Sequence, residues 1–117
     1  MKPIILALVE PEVRPHKIHR VMGCMPRKWE VLNNYEDSSL GRIWLGWNPR
    51  VWNCQVCSKS MQQITIIGSN KGGLQILLTI VYGSNRWSRR KELWTEMQLM
   101  HQQHASLPWA VVEISIL

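Results

Sequence analysis

The sequence predicts a mixed α/β or α+β fold whose sheet is largely antiparallel. Three observations lead to this class. Short segments are either continuously apolar or alternate in polarity, Gly, Pro and Asn separate them, and one longer segment repeats its apolar residues at helical spacing. The predicted order is strand, helix, several hairpin-like strands, helix, strand.

Near the N-terminus, residues 4–9 form a continuous apolar run rich in Ile, Leu and Val. Such a run is typical of a strand that is buried on both faces. Pro11 ends the strand, because proline cannot donate a hydrogen bond to the ladder. Residues 15–22 then predict a short helix, with Pro15 in its first turn.

The middle of the chain alternates predicted strands with turn segments. Residues 51–56 place Trp52, Cys54 and Val56 on one face, which is the pattern of a half-buried strand. Residues 75–82 carry apolar side chains on both faces. The predicted strands span 29–32, 42–47, 51–56, 63–67 and 75–82, and the predicted turns are 33–39, Asn48-Pro49 and 68–73.

Residues 86–104 predict a long helix, and residues 109–112 a last short strand after Pro108. Ser84 or Asn85 can cap this helix by accepting a backbone N–H. Four side chains fall on one helical face and are expected to be buried. They are Leu93, Met97, Met100 and His104.

Composition limits the function. The chain has 117 residues, enough for one domain, and 45% are hydrophobic, enough for a core. Its 14 basic and 8 acidic residues give a net charge of +6, which favours an anionic partner, nucleic acid before a membrane. No stretch reaches the roughly 18 apolar residues of a membrane span, and no targeting segment is evident. We therefore expect an intracellular protein, nuclear or cytoplasmic, with free thiols.

Cys54 and Cys57 have the Cys-x2-Cys spacing of zinc ligands, and His101 and His104 could complete a set of four. Residues three apart in a strand point to opposite faces, however, so one metal ion would not meet both thiolates. We expect free, partly buried cysteines.

A basic cluster opens the long helix. It is unusual there, because the positive end of a helix dipole disfavours cations. One interpretation is a solvated helix face; the other is a patch that contacts phosphates, with Trp87 stacking on a base or sugar. The cations of this cluster are Arg86, Arg89, Arg90 and Lys91.

Glu10 ends the first apolar strand, a position where carboxylates commonly hold hard cations such as Mg²⁺. A single carboxylate does not make a metal site, so a solvated strand-end residue is the alternative.

Four segments, taken together and in order, carry a resemblance to a known family. They are Ala7-Leu-Val-Glu10 with Val13, Lys17 and Val21 behind it, Gly41-Arg-Ile-Trp-Leu-Gly-Trp-Asn-Pro49, Thr79-Ile-Val-Tyr-Gly-Ser-Asn85, and Arg89-Arg-Lys-Glu-Leu-Trp94 followed by Pro108-Trp-Ala-Val-Val112. The chain resembles the endonuclease/exonuclease/phosphatase family. More narrowly, it is similar to the apurinic-endonuclease-like domain of plant LINE-type (non-LTR) retrotransposons. The resemblance covers nearly the whole chain, but only the N-terminal half of the family's domain.

The resemblance implies a two-sheet β-sandwich flanked by helices, here as one partial domain over residues 1–117. It also implies phosphodiester cleavage with Mg²⁺ or Mn²⁺, in which the metal ion polarises the phosphate. By the resemblance, Glu10 is the metal ligand, Tyr82 contacts the scissile phosphate and Asn85 is a polar neighbour in the adjacent loop. The basic helix start would then lie near the DNA.

Departures from the family pattern predict lost activity. The family's Gly-Asp-Phe-Asn turn is replaced by Glu113-Ile-Ser-Ile116. Its first-strand asparagine and its Ser-Asp-His motif have no counterpart. Such groups act as a unit, so we expect a truncated, catalytically inactive remnant. The alternative is a basic fragment that binds nucleic acid, or that associates with itself through an uncovered sheet.

Overall fold

The computed structural model describes residues 5–9, 26–34, 43–82 and 87–113. Within these ranges it contains seven strands and one helix. The elements are β1 (Ile5–Val9), β2 (Glu30–Asn33), β3 (Ile43–Trp47), β4 (Trp52–Lys59), β5 (Gln63–Asn70), β6 (Gln75–Val81), α1 (Trp87–Gln103) and β7 (Trp109–Glu113).

The strands form two sheets, which confirms the mixed α+β class. The first has the order β1-β3-β2, and both of its pairs are antiparallel. The second has the order β4-β5-β6-β7, antiparallel except for the parallel pair β6–β7. The chain passes from the first sheet to the second through the turn after Trp47, and α1 makes the crossover that a parallel pair needs.

The main core lies between the two sheets. Side chains of β3 meet alternate side chains of β5 and β6, and most of them are fully buried. Burial of this kind stabilises by roughly 1.5–3 kcal/mol for each large aliphatic side chain. The core residues are Ile43, Leu45, Trp47, Ile64, Ile66, Leu78 and Ile80.

The other face of the second sheet carries α1. Leu93 and Met97 pack against Val81 and Trp109, and Met100 is also buried. The predicted apolar face is therefore confirmed for Leu93, Met97 and Met100, whereas His104 lies beyond the end of the helix and is half-buried. His101 stacks on the Trp109 ring at a centroid distance of 4.9 Å. No helix in the described part of the chain has the length and apolar character needed to cross a membrane.

Two sequence predictions need correction. The run 4–9, predicted to be buried on both faces, is observed as Ile5–Val9; it is an outer strand of its sheet among the described strands, and its three described side chains are only half-buried. The predicted turn 68–73 begins later, because β5 continues to Asn70. Glycine at position 68 leaves room for the indole of Trp52 on the neighbouring strand, because a Cβ at this position would lie only 3.3 Å from that ring. The predicted helix 15–22 and the proposed cap residues lie outside the described ranges.

The strand directions bring five strand ends together. β1 and β2 both end where β3 begins, and β4, β6 and β7 all end where β5 begins. The Asn34 side chain joins these two edges by hydrogen bonds to the β4–β5 turn. We call this end of the sandwich the strand-end face.

Candidate functional site

Tyr82 lies on the strand-end face, directly after β6. Its backbone N–H donates to the Gln62 carbonyl at 2.8 Å, and its half-buried side chain packs against the edge of the main core. The residue that the family resemblance implies at a scissile phosphate therefore stands at the end of a strand that is paired on both sides.

Asn34 fixes the distance between the two sheets at this face. Its side-chain nitrogen donates to the carbonyls of Ser60 and Met61 at 3.1 and 3.2 Å, and its side-chain oxygen accepts from the Ile43 N–H at 2.9 Å. The residue is fully buried, and these bonds offset the cost of burying its amide. The sequence placed Asn34 in a polar turn and gave no sign that it links the sheets.

Arg90 forms an ion pair with Glu113. Its Nη2 lies 3.6 Å from the Glu113 carboxylate, and the two side chains are 36% and 50% exposed. Glu113 is in register with Val81, so the pair joins the end of β7 to the first turns of α1. The carboxylate is thus turned toward the helix, whereas the neighbouring Lys91 is exposed to solvent.

A chain of polar side chains crosses the helix-facing side of the second sheet. The Trp109 indole N–H donates to Thr79 at 3.0 Å, and the Thr79 and Thr65 hydroxyls lie 2.9 Å apart. Thr65 donates to the Gln63 side-chain oxygen at 2.6 Å. Because the Thr65 proton is used in that bond, Thr79 donates to Thr65, and every bond of the chain runs in one direction.

This series of hydrogen-bonded side chains ends at the carboxylate of Glu96 on α1. The Gln63 side-chain nitrogen donates to Ser58 at 2.8 Å and to Glu96 at 3.3 Å, and the Ser60 hydroxyl donates to the same Glu96 oxygen at 2.8 Å. Sequence reasoning did not find this network. Polar residues at positions 63, 65 and 79 of otherwise apolar strands were the available signal.

An apolar cavity of about 280 Å³ lies between α1 and the pair β6–β7. Leu93, Met97 and Trp109 contribute to its wall, and Arg90 and Glu113 also line it. Its hydrocarbon lining suits an apolar group. A phosphate would therefore be met by the charged side chains rather than by the cavity wall.

The predicted site residues divide into three groups. Tyr82, Arg90 and Lys91 are described together with their side chains. The helix backbone includes Trp87 and Arg89, whose side chains fall outside the description. The others, Glu10, Asn85 and Arg86, lie outside the described ranges, so their predicted roles stay predictions.

A zinc site at Cys54 and Cys57 finds no support in the described residues. Burial raises the pKa of the Cys54 thiol from 9.0 to about 11 in the metal-free chain. Burial also raises the pKa of Cys57, partly offset by a hydrogen bond from the Ile67 backbone. Both cysteines are free, as expected.

The described residues contain no group of three His, Cys, Asp or Glu side chains that could hold a metal ion. Of the carboxylates near the strand-end face, Glu96 accepts two hydrogen bonds and Glu113 is paired with Arg90. The resemblance implies Glu10 as the Mg²⁺ ligand, and because Glu10 lies outside the described residues, the cofactor stays a prediction.

Comparison with protein-family models, with curated proteins and with solved structures found no match to this chain. The resemblance to the endonuclease/exonuclease/phosphatase family therefore rests on the sequence segments quoted above.

Proposed function

We propose that this chain is an endonuclease/exonuclease/phosphatase-like domain that binds the phosphate backbone of nucleic acid at its strand-end face without cutting it. The observation that carries the proposal is the meeting of five strand ends at one end of a two-sheet sandwich, with Tyr82 on that face. Two motifs of the resemblance, the segment Ala7–Glu10 and the segment ending in Asn85, include the last residues of β1 and β6.

Charge on this face supports phosphate binding. α1 follows β6, so its basic first turns begin at the strand-end face. Lys91 is exposed there, and Arg90 is partly exposed beside it. Cations in this position attract the phosphate backbone and release its counterions, which gives affinity that does not depend on base sequence.

The ion pair that occupies the Glu113 carboxylate argues against hydrolysis. The family resemblance implies an Asp and an Asn after the last strand, where they help to orient the attacking water. In this chain Glu113 is the last residue of β7, and it forms an ion pair with Arg90 on α1. Loss of one member of such a catalytic set already costs most of the activity.

Binding is tested by fluorescence anisotropy with a labelled 20-base-pair duplex at several salt concentrations. We expect affinity to fall as salt rises, and the double variant Arg90→Gln/Lys91→Gln to reduce the slope of log K against log salt by about 1–2. The matched control is Arg27→Gln/Lys28→Gln, which removes two exposed cations that precede β2. An equal loss of duplex affinity in both variants, or an affinity that does not change with salt concentration, would contradict the proposed surface.

Cleavage is tested separately by nicking of supercoiled plasmid with millimolar Mg²⁺ or Mn²⁺. We expect no nicking above that of the Glu10→Gln variant. Nicking by the folded chain that Glu10→Gln abolishes would show an active nuclease and overturn the non-catalytic part of the proposal.

Self-association is the second candidate function, and one observation favours it. β7 is the last strand of the second sheet as described, and Val111 and Val112 on it are 43% and 42% exposed. An apolar strand in this position can pair with another copy. Sedimentation velocity tests the idea: Val112→Lys should abolish a dimer, whereas Val51→Lys, which changes an equally exposed valine in a turn, should not.

A further inference from the structure

The end of the sandwich opposite the strand-end face has its own concave surface, which is lined by polar and apolar side chains. It lies between the β3–β4 turn and the β5–β6 turn, and it encloses about 290 Å³. We call it the turn-end cavity. The residues that matter for its chemistry are Arg50, Trp52, Asn53, Ser69, Asn70 and Lys71.

Strand register explains why two distant turns share this cavity. Trp52 is paired with Asn70 and Asn53 with Ser69, so the start of β4 lies beside the end of β5. Arg50 comes just before this pair of strand ends and Lys71 just after it. The two cations are 21 positions apart in the sequence, since 71 − 50 = 21, yet they line one surface.

Hydrogen bonds hold the first turn in place. The Asn48 side-chain oxygen accepts from the Arg50 N–H at 3.0 Å, and the Asn48 carbonyl accepts from the N–H groups of Val51 and Trp52 at 3.1 and 3.0 Å. The backbone that carries Arg50 is therefore fixed without use of its guanidinium group.

The second turn is held in the same way. The Asn70 side-chain oxygen accepts from the Leu74 N–H at 2.9 Å, and the Asn70 carbonyl accepts from the Gly73 N–H at 3.1 Å. Gly73 has a φ of 87°, which lets the chain reverse here at low cost. Lys71 stands in this turn with its side chain exposed.

The charge at this end is positive. The residues lining the cavity include two cations and no carboxylate. Arg27 and Lys28, both exposed, precede β2 at the same end, and Glu30 supplies a negative charge beside Trp47. The five charged groups named here sum to +3, since four are cations and one is an anion. Two cations that converge without an intervening acid repel each other, and a bound anion relieves that repulsion.

We propose that the turn-end cavity binds phosphate groups, either of a nucleotide or of a single-stranded nucleic acid. Arg50 offers a planar fork of N–H donors that matches two phosphate oxygens, and Lys71 adds a compact positive charge. Asn53 and Ser69 offer further polar groups, and the half-buried Trp52 offers an aromatic edge beside them. This site is independent of the strand-end face, so either proposal can fail without the other.

The experiment is a ¹⁵N-HSQC titration of the full chain with inorganic pyrophosphate and, separately, with a hexathymidine oligonucleotide. We expect the amide signals of residues 50–53 and 69–74 to shift and saturate. Arg50→Gln/Lys71→Gln should weaken binding by about tenfold or more. Both side chains are exposed, so the variant should keep the dispersed spectrum of the folded chain.

Arg90→Gln/Lys91→Gln is the matched control, because it removes the same charge from the other end of the sandwich. It should leave the pyrophosphate shifts at residues 50–53 and 69–74 unchanged. Saturation by pyrophosphate with no tighter binding of the oligonucleotide identifies a free phosphate compound as the ligand, and tighter binding of the oligonucleotide identifies nucleic acid. The absence of saturating shifts at residues 50–53 and 69–74, or shifts there that Arg50→Gln/Lys71→Gln does not change, would overturn the proposal.

Discussion

The indole N–H of Trp109 donates a hydrogen bond to the hydroxyl of Thr79, which lies 30 positions earlier on the neighbouring strand, at a distance of 3.0 Å. This bond starts the polar chain that ends at Glu96 on α1. It ties the parallel strand β7 to β6 by a side chain as well as by the backbone ladder. The stability of β7, and with it the position of Glu113, therefore depends on a fully buried threonine.

Thr79→Val tests this dependence. Valine keeps the shape of threonine but leaves the Trp109 N–H without its acceptor and removes the hydroxyl bond to Thr65. We expect the free energy of unfolding, measured by urea titration, to fall by about 1–3 kcal/mol. Thr95→Val is the control, because Thr95 is exposed on α1, and it should change stability by less than about 0.5 kcal/mol. Equal effects would mean that the polar chain contributes nothing.

Glu113→Gln tests the coupling between the ion pair and nucleic-acid binding. The change frees the Arg90 guanidinium from its carboxylate. If the strand-end face binds phosphates, we expect duplex affinity at low salt to rise by about threefold. Stability should change by less than about 1 kcal/mol, because both side chains are partly exposed.

Glu92→Gln is the matched control for Glu113→Gln, since Glu92 is exposed on the same helix and no ion pair is found for it among the described residues. The anisotropy assay should give a smaller gain for this variant. A gain of the same size in both variants would assign the effect to net charge and not to Arg90.

Cys54 predicts a pH dependence of stability. Burial raises the pKa of its thiol from 9.0 to about 11 in the folded chain. Well below pH 9 the thiol is protonated in both the folded and the unfolded state, so it adds no pH dependence to the free energy of unfolding. Between pH 9 and 11 the unfolded chain releases the proton while the folded chain keeps it, so the free energy of unfolding falls as pH rises.

The measurement is urea unfolding from pH 8 to 11, with Cys54→Ala as the comparison. The variant should lose less stability than the natural chain across that window, because the two proteins differ only at the Cys54 thiol. Parallel curves would contradict the raised pKa. Alkylation of Cys54 by iodoacetamide should also accelerate about tenfold per pH unit over the same range.

Gly73→Ala tests the turn that carries Lys71. At a φ of 87°, the backbone conformation of an alanine is roughly 1–2 kcal/mol less favourable than that of a glycine. We expect a fall of that size in thermal or urea stability. Gly72→Ala is the control in the same turn, where a Cβ would make only an ordinary contact of 3.4 Å with the Asn70 side chain. A stable Gly73→Ala variant would contradict the strained geometry.

Much of the secondary structure could be predicted from local sequence. The strand predicted at 29–32 is observed at Glu30–Asn33, that at 42–47 at Ile43–Trp47, and the helix predicted at 86–104 at Trp87–Gln103. Local apolar pattern is sufficient here, because α1 buries one face and β3 buries both. The prediction of a turn beginning at Gly68 was wrong. This glycine lies within β5, because the indole of Trp52 fills the space that a side chain at position 68 would need.

The candidate sites could be predicted only in part. Tyr82 and the basic start of α1 were visible as motifs, and their common position on the strand-end face follows from strand direction. The Arg90–Glu113 pair was not visible, because it joins residues 23 positions apart, since 113 − 90 = 23. The convergence of Arg50 and Lys71 depends in turn on the register of β4 and β5.

The sequence alone determined which segments are strands or helix, which faces are apolar, and that the chain is basic. These properties depend on neighbours within a few residues and on composition. Only the tertiary structure decided that the chain changes sheets after Trp47, that β7 pairs parallel to β6, and that Asn34 links the sheets as a buried residue. These features depend on contacts between distant residues, whose energies come from packing and from buried hydrogen bonds that local periodicity does not encode.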